Sequence, residues 1–327
     1  MSFEDELQRY GPDSREQPSR DEAFAYCARL AATHYENFSV VTWLTPRAHR
    51  GAFQSIYAFC RWSDDLGDEV GDPGRARELL QWWRSELRAM ARGDGTLRHP
   101  VMIALRDVFD RYHLPLEPFE ALLDAFEQDQ SVTEYQTYDQ LLDYCTRSAN
   151  PVGHLILHIA GAYSPANAAL SDATCTALQL ANFWQDVARD LDIGRIYLPR
   201  EDRERFGVSV ADLRNRRFTP GFAELMRFEV ERARALFEQG RTLSSRIRGI
   251  LALDIELFSR GGLAILDRIE AQGFDVLRAR PSLSRRAKVG LLLRALPSIF
   301  LMWLRPSKSP PEAAEPSLRR PLEEVRP

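Results

Sequence analysis

Cysteine is scarce in this sequence, and no two cysteines stand close together. Cys27, Cys60, Cys145 and Cys175 are the only four in 327 residues. They sit among apolar and helix-forming neighbours without the CxxC spacing of a zinc or redox site. A disulfide scaffold is thereby excluded, and reduced core thiols in a cytoplasmic protein are expected. An excess of basic charge is also missing. The 43 basic and 47 acidic residues give a formal net charge of -4, so there is no global field of the kind that binds nucleic acid. Long apolar runs are missing too. The most apolar stretch, Val289 to Leu304, is interrupted by Arg294 and Pro297 and falls short of the roughly 20 residues that a spanning helix needs. The start, Met1-Ser2-Phe3-Glu4-Asp5-Glu6, has neither the basic beginning nor the apolar run of a secretory signal. No period of about 20 to 50 residues repeats, which argues against a solenoid. No GxGxxG follows a strand-like run, so nucleotide-dependent reduction is not signalled.

What the chain does have is helical periodicity. From Asp21 to about Leu277 apolar residues recur every three or four positions, and apolar–polar alternation is rare. The pattern predicts helices over Glu22–Tyr35, Arg50–Leu66, Gly74–Arg92, Leu116–Glu127, Tyr138–Tyr144, Ala173–Leu191, Pro220–Arg246 and Ile250–Ala271. Breakers such as Gly71-Asp72-Pro73-Gly74, Gly93-Asp94-Gly95, Pro115 and Ser164-Pro165 separate them. The expected organisation is a flexible N-terminus over 1–20, a single all-α domain over 21–277, a basic and apolar C-terminal helix over 278–308, and a disordered Pro- and Glu-rich tail over 309–327. The basic helix fits either a membrane surface or an ordinary amphipathic packing role. Peripheral contact at the inner face of the cell membrane would come from there. His154 and His158 have a zinc-compatible spacing, but they lack the Glu of HExxH and stand in an apolar run, which favours packed or capped histidines.

Two acidic motifs carry the chemistry. In Tyr57-Ala-Phe-Cys-Arg61-Trp-Ser-Asp64-Asp65-Leu-Gly-Asp68, Asp64 and Asp68 are spaced i,i+4. Their Cβ atoms are then ~5–6 Å apart on one helix face, with Tyr57 and Arg61 preceding them on that face. In Gln179-Leu-Ala-Asn182-Phe-Trp-Gln185-Asp186-Val-Ala-Arg189-Asp190, Gln179, Asn182, Asp186 and Asp190 share another face. Like charges at this spacing cost a helix a few tenths of a kcal/mol, so each motif needs solvent, a cation or a metal. Taken alone, either is most simply a solvated acidic face. Two in one chain, one of them extended by amides, fit an oxygen-rich lining. Mg²⁺ takes oxygen ligands and is usually held by one or two carboxylates plus substrate phosphates. Two facing acidic helices could thus clamp a diphosphate, with arginines adding charge-assisted hydrogen bonds.

At these residues the chain resembles the squalene and phytoene synthase family, over roughly Tyr35 to Leu277. Tyr57 to Asp68 looks like that family's first Asp-rich motif, and Asn182 to Asp190 like its second. Tyr144-Cys-Thr-Arg-Ser-Ala149-Asn-Pro-Val152-Gly153 resembles its substrate-pocket helix, and Gly194-Arg195-Ile-Tyr197-Leu-Pro199 resembles the segment after the second motif. The resemblance implies a single-domain terpenoid-synthase helical bundle around a central cavity, Mg²⁺ as cofactor, and Asp64, Asp68, Asp186 and Asp190 as metal ligands. It also implies substrate contacts from Arg61, Gln179, Asn182, Arg195, Tyr197, Asn37, Ala149, Val152 and Gly153, with Tyr57 and Tyr144 at the cavity.

Within the family, His34-Tyr-Glu-Asn-Phe-Ser-Val and Asn182 to Pro199 look most like the bacterial hydroxysqualene synthases of hopanoid pathways. Those convert presqualene diphosphate and water to hydroxysqualene, a carbon–oxygen lyase reaction beside other squalene-pathway enzymes. Glu36 and Gln185 stand where condensing members keep positive charge. Their neutrality or negative charge suits a substrate with one diphosphate rather than two. Tyr35, Asn37 and Asn150 are alternative residues for placing the water. A condensing enzyme making presqualene diphosphate, squalene or phytoene is the alternative activity, and a non-catalytic helical scaffold is the alternative of another class.

Overall fold

The structure is a computed structural model that describes residues 2–34, 47–247, 250–284 and 290. Fourteen helices run along the described residues: α1 Phe3–Tyr10, α2 Arg20–His34, α3 Arg47–Asp68, α4 Pro73–Arg92, α5 Pro100–Tyr112, α6 Glu117–Gln128, α7 Tyr138–Ser148, α8 Asn150–Ile159, α9 Pro165–Asp192, α10 Arg200–Arg205, α11 Val210–Arg214, α12 Pro220–Gly240, α13 Leu243–Arg246 and α14 Ile250–Ala271. Among those residues there is no strand. The one extended pairing is an isolated parallel bridge between Glu134 and Ile196.

Local chemistry accounts for many of the boundaries. Asp72 accepts from the amides of Gly74 and Arg75, Pro73 opens the first turn of α4, and left-handed Gly93 closes it. Thr137, Ser164 and Thr219 cap α7, α9 and α12 in the same way. α7 and α8, expected to form one pocket helix, are separate: Ala149 leaves helical geometry and Pro151 starts the next turn. Pro is tolerated there because a first-turn amide has no intrahelical partner.

The apolar faces gather into two cores. One joins α1–α6 to α8 and α13–α14 around Phe59, Trp62, Trp83, Leu105 and Phe119. The other joins α6, α7, α9, α11, α12 and α14 around Leu180, Trp184, Leu213, Phe222 and Leu266. α3, with the first acidic motif, lies against α2, α4, α5 and α6. α9, with the second, lies against α7, α8, α12 and α14. Neighbours approach α9 at backbone range. A Cβ on Gly153 of α8 would overlap Ser171 Oγ and stand 2.7 Å from Cys175 Sγ. One on Gly240 of α12 would overlap Thr174 and stand 2.9 Å from the Leu170 carbonyl. One on Gly262 of α14 would stand 2.9 Å from Leu178 Cδ2.

Two expectations change. The first 20 residues are not simply flexible, because Phe3–Tyr10 forms a helix with a Ser2/Asp5 capping box. Phe3 meets Trp62 edge-on at 5.2 Å and Tyr10 is buried. That apolar contact makes helix formation favourable in so short a segment. Residues 278–284, expected to begin a basic helix, are turn and coil, because the preceding chain is pinned. Gln272 Nε2 donates to the carbonyls of Asp275 and Ala279, and Gln185 Nε2 donates to that of Pro281 at 2.6 Å. The remainder of that segment and the tail lie outside the described residues, apart from Gly290. No described helix is long and apolar enough to cross a membrane.

Candidate active site

On α3, Tyr57, Arg61, Asp64 and Asp68 follow one another at helical spacing. Arg61, an expected substrate contact, has its guanidinium among the carboxylates of its own segment. Nη1 donates to Asp64 at 3.2 Å and Nε to Asp65 at 3.0 Å, and Glu69 stands 3.8 Å away. Burial pushes the Asp64 carboxyl up to about 6, and the neighbouring Asp68 charge adds to it. Burial pushes Asp65 up to about 6 as well. The half-buried Tyr57 hydroxyl is raised by the same desolvation.

On α9 the polar face runs from half-buried Gln179 through exposed Asn182 to buried Asp186 and half-buried Asp190. Asp186 is paired with Arg280 from the segment after α14: Nη2 donates to Oδ2 at 2.9 Å, and Nε donates to Oδ1. Burial, and then the Asp186 charge, push Asp190 up to about 7. Gln185, one residue from Asp186, turns away from this face and is buried against Pro281.

Arg195 joins the two motifs. After α9 the chain reverses at Gly194, whose φ of +80° is a left-handed geometry that glycine adopts without strain. The reversal is fixed by the Arg195 amide on the Asp190 carbonyl at 2.7 Å and the Ile196 amide on the Thr133 carbonyl at 2.8 Å. It delivers the Arg195 guanidinium to Asp68, with Nη2 at 2.7 Å and Nη1 at 3.2 Å. The same positive charge favours the ionised forms of Asp64 and Asp190. Beside it stands an aromatic wall. Tyr197 stacks on Phe183 at 3.8 Å and 10°, and Tyr144 lies 6.1 Å from Tyr197 and 5.4 Å from Tyr135. Buried Tyr144 donates its hydroxyl to Asp129 Oδ2 at 2.8 Å.

The remaining expected residues divide. Ala149 is buried at the break between α7 and α8, and Val152 packs against the first core. The open side of Gly153 is filled by α9, so its role in the fold is helix contact. Asn150 Oδ1 accepts from Thr176 at 2.9 Å inside the protein. Tyr35, Glu36 and Asn37 lie outside the described residues. His154 pairs with Asp172 at 2.8 Å and His158 stacks on Tyr163. Both are accounted for by packing and hydrogen bonding.

The donor chemistry fits Mg²⁺. Each motif presents carboxylate oxygens, and two of the four aspartates, Asp64 and Asp190, have raised proton affinity that a bound cation would relieve. Among the described residues no three acidic, His or Cys side chains converge tightly enough to hold an ion by themselves.

Three site residues escaped the sequence reading. Asp65 was passed over because it is off the Asp64/Asp68 face. Arg280 falls in the basic segment after residue 277, with nothing local to mark it. Asp129 had a usable signal: an acid directly after α6, where the helix C-terminus disfavours negative charge.

A family model for squalene/phytoene synthase matches residues 31–287. A phytoene synthase from Arthrospira platensis is 32% identical over 288 residues, spanning 82% of this chain and 91% of its own. A hydroxysqualene synthase from Rhodopseudomonas palustris is 31% identical over 262 residues, spanning 79% and 85%. Among solved structures, squalene synthase HpnC from Alicyclobacillus acidocaldarius is 46% identical with a TM-score of 0.73, covering 78% of this chain and 95% of that one.

Proposed function

The chain belongs to the squalene/phytoene synthase family, enzymes of isoprenoid synthesis with the all-α terpenoid-synthase fold, and on that premise we propose that it is a hydroxysqualene synthase. In this reading it ionises presqualene diphosphate and quenches the rearranged carbocation with water, releasing hydroxysqualene and diphosphate. The observation that carries the reading is the neutral neighbour of the second motif. Gln185, where condensing members are expected to hold arginine, is buried and bonded to the Pro281 carbonyl. The guanidiniums near this motif are already engaged: Arg280 is paired with Asp186, Arg189 stands 3.9 Å from the same carboxylate, and Arg195 is bonded to Asp68. Binding two diphosphates together would need cations in excess of these pairs, whereas one diphosphate needs fewer. The likeness to a hydroxysqualene synthase supports the same choice.

Asp64, Asp68, Asp186 and Asp190 would hold Mg²⁺, which when bound supplies positive charge to the leaving diphosphate. Arg195 would donate to the diphosphate oxygens from between the motifs. Phe183, Tyr197, Tyr144 and Tyr135 would present aromatic faces to the cation and keep stray water away.

The phytoene synthase likeness favours a second reading, condensation of two prenyl diphosphates. One experiment separates the two. Incubation with presqualene diphosphate and Mg²⁺, without NADPH, should give hydroxysqualene by mass spectrometry of the organic extract, and farnesyl diphosphate alone should give nothing. Conversion of farnesyl diphosphate alone would overturn the proposal.

A further inference from the structure

Capture of a carbocation by water leaves a proton that must go somewhere. As the new C–O bond forms, the water oxygen becomes an oxonium, and a base has to take one of its hydrogens inside a chamber built to be apolar. Asp68 and Asp186 are paired with arginines, and all four motif aspartates are assigned above to the metal. Asp129 is different. Its Oδ2 accepts the Tyr144 hydroxyl at 2.8 Å, and its Oδ1 is buried with no hydrogen-bond partner. Its charge is felt by Arg195, and it feels those of Asp68 and Asp64, so it lies within electrostatic range of the motifs.

Its position is costly to the fold. Asp129 caps the C-terminal end of α6, its amide bonded to the Ala125 carbonyl. An acid at that end of a helix meets the exposed carbonyls unfavourably. Tyr144, in turn, is one of three tyrosines in the wall, 4% exposed and flanked by Tyr135, Phe183 and Tyr197; Tyr135 Oη accepts from Gln128, whereas the Tyr144 hydroxyl donates to a carboxylate. A hydroxyl in such a wall can reach a water held over the ring while passing its own hydrogen backwards.

Building on the hydroxysqualene synthase reading, we propose that Asp129 is the positioning residue behind Tyr144 and the final acceptor of the proton released by water capture. In the step, a water O–H breaks and its proton goes to Tyr144 Oη. The former Tyr144 proton passes to Asp129 Oδ2, and the water oxygen keeps its new bond to carbon. The products are the alcohol, neutral Tyr144 and protonated Asp129, which returns its proton to solvent after release. Burial holds the Asp129 carboxyl up at about 7, which suits a group that must accept a proton near neutral pH.

The test uses the full chain with presqualene diphosphate and Mg²⁺, scoring diphosphate release and organic products separately. General-base catalysis is typically worth ~10²–10⁴-fold. Asp129→Asn should therefore cut alcohol formation about 100-fold while diphosphate release falls no more than about tenfold, the difference appearing as alkenes formed by proton loss from carbon. Asp129→Glu should recover part of the alcohol, and Tyr144→Phe should reproduce the split. An unchanged alcohol share in Asp129→Asn or Tyr144→Phe would overturn the proposal and assign the proton to the released diphosphate. So would equal loss of both activities in the two variants. If Asp129→Asn does not fold, Tyr144→Phe and Asp129→Glu decide by the same criterion. Wild-type enzyme that makes no alcohol defeats the underlying functional reading and this inference together, whereas wild-type alcohol with unaffected variants defeats this inference alone.

Discussion

Asp190→Asn should make the protein more stable and less active, and its pH dependence identifies the cause. In the folded chain the Asp190 carboxyl is held at about 7 instead of the ordinary 3.8, first by burial and then by the Asp186 charge. For a carboxyl raised in this way the ionised form is the disfavoured one. The penalty on folding is absent below about pH 3.8, grows as pH rises, and is complete above about 7. Full ionisation in a dry site would cost ~4 kcal/mol. Asp190 is only half-buried, and water at its exposed atoms reduces the figure to ~1–3 kcal/mol. Asparagine keeps the shape without the charge, so at pH 8 the melting temperature should rise by roughly 2–8 °C. The gain should shrink towards zero near pH 4. Circular dichroism melts of both proteins in chelator, at pH 8 and pH 4.5, read this directly. A variant that melts at or below wild type at pH 8, or one with the same gain at both pH values, would refute the account. Diphosphate release should meanwhile fall by at least about 100-fold, because a ligand oxygen has been lost.

Two further substitutions probe the pairs around α9. Arg280→Met removes the partner of buried Asp186. It should cost ~2–4 kcal/mol at pH 8, with Asp186→Asn in the same chain restoring most of the loss in urea melts; no loss in the single variant would contradict the pairing. Gly153→Ala puts a methyl against Ser171 and Cys175 and should cost ~1–3 kcal/mol, while Ser171→Gly in the same chain relieves part of it. Full stability of Gly153→Ala would mean that α8 and α9 are not in backbone contact.

The sequence reported its helices well where apolar periodicity was strong and capping residues stood at the ends. Ile250–Ala271 was read at its observed limits, and Gly74–Arg92 began one residue late because Pro73 looked like a breaker rather than a first-turn residue. α5 and α8 went unread. Pro100 and Pro151 obscure their starts, and the nearly continuous apolar composition of α8 hides the period of a buried helix. α1 was missed because its acidic face suggests disorder until Trp62 is known to lie beneath Phe3. The acidic motifs were legible as i,i+4 repeats. Their electrostatic partners are less so: Arg195 and Arg280 reach the site from other segments by tertiary packing, and Asp129 is marked only by its place directly after α6. Resemblance to the family supplied Arg195, and physical reasoning on the sequence alone would not have found it.

The glycine contacts at α9 have a bearing on how such a protein can diversify. Gly153 and Gly240 let two helices press on this one at backbone range, and Gly262 of a third stands against its Leu178 side chain, so it cannot gain side-chain bulk on those sides. The second acidic motif is therefore a fixed post. A lineage that takes up a longer or shorter isoprenoid has to remodel the walls facing that post, since any drift of the post itself would break three interfaces at once.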